Sequence, residues 1–101
     1  MVIRTEIENT TELTLFLDGR FDTAASPEFE KKFQEIEPSI TGVLLDFGGL
    51  SYISSMGLRV LLQSHKEITA RGGKMAIRNM PEHIRSIFEM TGFIELFEFV
   101  K

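Results

Sequence analysis

The side chains able to do chemistry are two adjacent serines, two histidines and three aspartates near strand ends. Ser54-Ser55 opens an apolar periodic stretch. A nucleophilic Ser55 needs a base and a group to orient that base. His65 lies about three helical turns along the same stretch, roughly 15 Å away by helix rise. His83 is placed too far along the chain for spacing to decide its position. The Gly-x-Ser-x-Gly elbow is missing, so hydrolysis has little support. His65 falls on an apolar stripe, where packing or a local hydrogen bond accounts for it. Neither histidine forms an HxxxH or HExxH metal pattern. The chain has no cysteine, hence no thiolate metal site and no disulfide. Gly48-Gly49 and Gly72-Gly73 lack phosphate-loop spacing and read as turn glycines. No cofactor or metal is expected.

Asp18 and Asp46 read as turn or strand-edge residues. Asp22 belongs to a loop that opens on the same rim as Ser54-Ser55, so it either braces that loop, touches a partner, or does both. Serine before an amphipathic helix is a common cap. Two adjacent serines exceed what one cap needs, so one can cap while the other presents its hydroxyl. Met56 and Leu58 follow at once and put apolar surface beside hydroxyl, which suits protein docking. Arg59, about one turn after Ser55, is either a solvated helix residue or a partner for an acid or a phosphate. The expected rim comprises Asp22, Thr23, Ser54, Ser55, Met56, Gly57 and Arg59.

Five strands and three helices would position these residues. Val2 to Glu8 is a weak strand. Glu12 to Asp18 is stronger, with Leu13, Leu15 and Leu17 at period two. A helix begins at Ser26-Pro27-Glu28, with serine as a cap and proline at an early position. Phe29, Phe33 and Ile36 share its apolar face. Gly42 to Phe47 is a nearly continuous apolar run, as expected of a central strand covered on both faces. Gly48 to Ile53 reads as a loop. The second helix spans about Ser55 to Ala70, with Leu58, Leu61, Leu62, His65 and Ile68 or Thr69 on one side. It stops at Arg71-Gly72-Gly73. Lys74 to Arg78 is a fourth strand. A third helix starts near Pro81 and stops at Gly92, and Ile94 to Val100 is a last strand. From residue 12 onward strands and helices alternate, which predicts an α/β fold with a mixed, largely parallel sheet of four to five strands. Functional loops then gather at the carboxyl ends of the strands. Here those are Gly19 to Ala25 and Gly48 to Ser55.

The chain's 101 residues predict a single domain over 1–101 with one core and little room for a deep cavity. A net charge of -4 argues against nucleic acid, which needs a basic stripe, and against anionic membrane surfaces. The longest apolar runs fall far short of the ~20 residues that span a bilayer. The amino terminus shows no apolar secretory core, so a cytoplasmic location is expected.

The segment Asp46-Phe47-Gly48-Gly49-Leu50-Ser51-Tyr52-Ile53-Ser54-Ser55-Met56-Gly57-Leu58 resembles a STAS domain, more narrowly a bacterial anti-sigma-factor antagonist. Gly19-Arg20-Phe21-Asp22, Gly72-Gly73-Lys74 and Met90-Thr91-Gly92-Phe93 resemble further stretches of that family in the same order. The resemblance implies a non-enzymatic protein that binds an anti-sigma factor serine kinase and so releases a sigma factor. It implies phosphorylation by that kinase of the residue matching Ser55, and reversal by a serine phosphatase. Ser54 and Met56 depart from the family, which often has aspartate at the first position and serine or threonine at the second. A STAS adaptor without phosphorylation, in a signalling or transporter-associated complex, is the alternative. A small-ligand or nucleotide-binding domain is a third reading. A monomer or weak dimer is expected.

Overall fold

The computed structural model describes residues 1–100. Strand β1 (Val2–Ile7) and β2 (Glu12–Phe21) form a hairpin, followed by α1 (Ser26–Gln34), β3 (Gly42–Ile53), α2 (Ser55–Ala70), β4 (Lys74–Arg78), α3 (Glu82–Thr91), a short 3₁₀ turn (Phe93–Glu95) and β5 (Glu98–Val100). The strands lie in the order β1-β2-β3-β4-β5. Only the β1–β2 pair is antiparallel; β2–β3, β3–β4 and β4–β5 are parallel. The expected mixed, largely parallel sheet is what forms.

The strand order explains how the layers are arranged. Each parallel neighbour is reached by a step in the same lateral direction. Right-handed crossovers then place all three helices on one face. Leu13, Leu15 and Leu17 of β2, Val43, Leu45 and Phe47 of β3, and Met75 and Ile77 of β4 point into that face and are buried. Phe29 and Phe33 of α1, Leu61 and Ile68 of α2, and Ile84 and Phe88 of α3 meet them in one apolar cluster. Phe88 sits edge-on to Phe47 at 6.2 Å between ring centroids. His65 packs edge-on to Phe97, as expected of a histidine on an apolar stripe.

The reading of β3 as covered on both faces is corrected by this arrangement. Leu44 points away from the helices and is only half-buried. On the open face Phe16 lies under the guanidinium groups of Arg4, 4.1 Å from the ring centroid, and Arg78, 5.5 Å away. Arg78 Nε also donates to Asp46 Oδ2 at 2.8 Å. These side chains shield much of the uncovered centre without a second helical layer.

Several boundaries differ from expectation. The segment Gly48 to Ile53 is strand, not loop. It continues β3 because β2 extends beside it, pairing Asp18 with Gly49, Gly19 with Leu50, Arg20 with Tyr52 and Phe21 with Ile53. The register shifts twice along this stretch, and Gly19 supplies the positive φ of 99° there. Ser26 does not cap α1. Its hydroxyl donates to the Asp22 carbonyl at 3.0 Å, and the position before the helix is Ala25, which has no side-chain cap bond. The last strand is reduced to Glu98–Val100, because the chain after Gly92 first coils into the 3₁₀ turn. On α2, Val60 and Ser64 are buried while Leu62 is only half-buried, so the apolar stripe is rotated from the expected one.

Candidate functional site

The carboxyl ends of β2 and β3 are clipped together where Ser54 N donates to the Phe21 carbonyl at 2.9 Å. Asp22 and Ser55 are the next residues on either side, so the two segments meet in one rim. Asp22 organises its own turn. Its carboxylate Oδ1 accepts from Ala25 N at 2.9 Å, and its carbonyl accepts from Ser26 N at 3.1 Å. The bracing role is therefore real. Asp22 is half-buried and Thr23 is exposed.

The two serines divide the work. Ser54 is extended, with φ of -89° and ψ of 169°, and its Oγ accepts from Gly57 N at 3.0 Å. Its carbonyl accepts the first helical bond, from Leu58 N at 3.0 Å. Ser54 is 9% exposed, so it is a cap. Ser55 is the first residue of α2 and is exposed. Met56 and Arg59 are exposed beside it, and Arg59 forms no ion pair among the described residues.

Gly57 is buried. A Cβ there would lie 2.8 Å from the Phe21 carbonyl oxygen and 2.9 Å from the Phe21 ring. Its absence lets the first turn of α2 rest directly on the end of β2. Burial removes Ser54 and Gly57 from the set of surface contacts. They hold the rim from beneath, while Asp22, Thr23, Ser55, Met56 and Arg59 form its surface.

The first turn of α2 carries no acidic side chain. The positive end of its dipole and its unpaired amides therefore meet no intrahelical carboxylate. His83, which spacing left open, bonds through Nε2 to the Ser51 carbonyl at 2.9 Å. A carbonyl only accepts, so Nε2 carries the proton and is not a base toward Ser55. No group of acidic and imidazole ligands suited to a metal occurs among the described residues.

Asp46, expected at a turn or strand edge, is instead buried within β3. It receives Arg78 Nε, Asn79 Nδ2 at 3.0 Å and Gly48 N at 2.8 Å. Burial pulls its pKa upward. The hydrogen bonds from Arg78, Gly48 and Asn79, with the Arg78 charge, outweigh burial and hold it below the ordinary carboxylate value. The signal available in sequence was parity: Asp46 is two residues from Leu44 and so shares the open face.

The STAS domain pattern matches residues 2–101. The chain belongs to the STAS domain family. A Bordetella bronchiseptica protein named "Putative anti-sigma factor antagonist BtrV" is 33% identical over 82 residues, covering 80% of this chain and 71% of that one. The Bacillus subtilis anti-sigma-B factor antagonist is 21% identical over 91 residues, covering 90% of this chain and 84% of that one. SpoIIAA, a Bacillus cell fate determinant, shares the fold. Its unphosphorylated form matches with a TM-score of 0.78 at 19% identity, over 99% of this chain and 88% of that chain. Its phosphorylated form matches with a TM-score of 0.77 at 20% identity, over 99% and 92%. This STAS chain thus has the α/β fold expected, with the helices on one side. No helix among the described residues is long and apolar enough to cross a membrane.

Proposed function

We propose that this STAS chain is a cytoplasmic anti-sigma factor antagonist that works by binding rather than catalysis. Its rim docks on an anti-sigma factor serine kinase, and phosphate on Ser55 ends the docking until a serine phosphatase removes it. The observation that carries this reading is the division of the serine pair. Ser54 is committed to Gly57 N, while Ser55 stands exposed at the helix start. Asp22, Thr23, Met56 and Arg59 supply the surrounding contacts.

Phosphate adds about -1.5 to -2 charges. At the start of α2 it meets amide groups and the positive dipole end, so this chain accommodates it. SpoIIAA keeps nearly the same match to this fold with and without phosphate, which supports a switch without refolding. A partner surface fitted to a neutral hydroxyl would instead face a dianion. A penalty of roughly 3 kcal/mol weakens binding by more than ~100-fold.

The test incubates the protein with a candidate kinase and ATP and weighs the intact chain. One phosphate is expected, lost in Ser55→Ala. Titration of the kinase should show the phosphorylated chain binding more than ~100-fold less tightly than the unmodified chain, with Ser55→Asp, which carries a single charge, weakened in the same direction. Equal affinities sink the switch. Binding without phosphate transfer points instead to an unphosphorylated STAS adaptor.

A further inference from the structure

We propose that β1 is a self-association edge, joining two copies of this chain into one continuous sheet through antiparallel β1–β1 pairing. The two edges of the sheet are unequal. β5 has 3 residues, whereas β1 has 6 and pairs only with β2. β1 contains no proline and its pairing with β2 is unbroken from Val2 to Ile7. Its outer row of backbone groups is therefore a regular template for another strand. Val2 is 66% and Ile7 73% exposed at its two ends.

The side chains select the second strand. Ile3, Thr5 and Ile7 lie across from Leu17, Leu15 and Leu13 on the helix face. Val2, Arg4 and Glu6 lie across from Asp18, Phe16 and Thr14 on the open face. A two-fold axis perpendicular to the sheet keeps each face on its own side. One register through that axis sets Thr5 against the partner's Thr5. It also sets Arg4 against the partner's Glu6, and Ile3 against the partner's Ile7, each twice. Opposite charges and apolar groups are then directly across from each other, the favourable cross-strand pairs.

The neighbouring registers fail. Sliding two places one way sets Arg4 against Arg4, and the other way Glu6 against Glu6. Sliding one place brings isoleucine against a charged or polar residue and sends the helices to opposite faces. Arg4 lies on the open face, stacked over Phe16 of β2, the same face that carries the incoming Glu6, toward which its side chain would turn. On the helix face, Ile7 borders a groove of about 600 Å³ lined also by Thr5, Leu13, Ile36 and Ile40. The partner's Ile3 would cover this end of β1. The strands of the two copies run in opposite directions, so the two Ser55 rims point to opposite ends and both stay open.

Sedimentation velocity on the full chain, from about 1 µM to about 1 mM, should show a concentration-dependent dimer. Glu6→Arg places like charges across the axis and should weaken dimerisation at least tenfold. The swap Arg4→Glu with Glu6→Arg should restore it. A chain without cysteine allows a second readout independent of those variants. Thr5→Cys meets its own copy and should give a disulfide-linked dimer on mild oxidation. Ile7→Cys, about 13 Å from its own copy by strand rise, should not. A chain that stays monomeric to about 1 mM, a Glu6→Arg variant that dimerises as well as the parent, or equal linking at positions 5 and 7 each overturns the proposal.

Discussion

Replacing Ser54 and Ser55 by alanine, one at a time, makes the same chemical change at adjacent positions with different expected results. Ser54→Ala removes the Oγ that receives Gly57 N at 3.0 Å in a place that is nearly closed to water. Loss of a serine cap costs about 1 kcal/mol, within a range of about 0.5–2. Water has poor access to the stranded amide, so the upper half of that range is expected. For a domain of this size the unfolding entropy is about 0.2 kcal/mol per degree, so melting should fall by about 5–10 °C. Ser55→Ala removes an exposed hydroxyl that forms no hydrogen bond with the rest of the described chain. A surface change of that kind should stay within about 0.5 kcal/mol. Urea unfolding followed by circular dichroism measures both, with an unchanged slope expected because the folded surface is unaltered. If Ser55→Ala destabilises as much as Ser54→Ala, the assignment of cap and exposed hydroxyl is wrong. Partner binding would then have to be sought elsewhere on the rim.

Two further expectations concern what lies under the rim and behind the sheet. Gly57→Ala should gain up to about 1 kcal/mol of helix propensity yet lower stability overall by about 1–2 kcal/mol, because its Cβ would press on the Phe21 carbonyl oxygen at 2.8 Å; thermal unfolding decides the sign. Asp46 has a lowered folded-state pKa, so the folded chain holds its proton less tightly than the unfolded chain does. Its contribution to stability is fully present above the unfolded value and lost as pH falls through the folded one. Urea titrations below about pH 4 should show a stability loss in the parent that is reduced in Asp46→Asn, which should itself cost about 1.5–3 kcal/mol near neutrality.

The elements were legible wherever local chemistry and tertiary packing agreed. Leu13, Leu15 and Leu17 alternate because one face of β2 is buried and the other is not. Ser54 stands before α2 because the helix needs a cap. The stretch from Gly48 to Ile53 was not legible, since glycine pairs favour turns when considered locally. Only the extended β2 beside it, itself hidden by Gly19, makes that stretch a strand. The apolar run Val43-Leu44-Leu45 suggested cover on both faces, because a half-buried leucine and a buried one look alike in sequence. The one-sided packing follows from strand order, which no short window reports. Asp46 is misplaced for the same reason: its partners Arg78, the last residue of β4, and Asn79, just beyond it, come 32 and 33 positions later. At the rim, the two serines were readable as cap and exposed hydroxyl, but which was which required the Gly57 bond.

The two register shifts between β2 and β3 separate the body of the sheet from its lip. Below them, pairing is regular, and Leu13, Leu15 and Leu17 of the helix face alternate with Thr14 and Phe16 of the open face. Above them, Arg20 and Tyr52 stack as a cation and a ring at 4.2 Å in a frame with its own phase. Residues gained, lost or exchanged above the slip can be absorbed there without turning the apolar set below it inside out. The fold thereby leaves the end that carries Asp22 and Ser55 free to vary while the interior stays as it is.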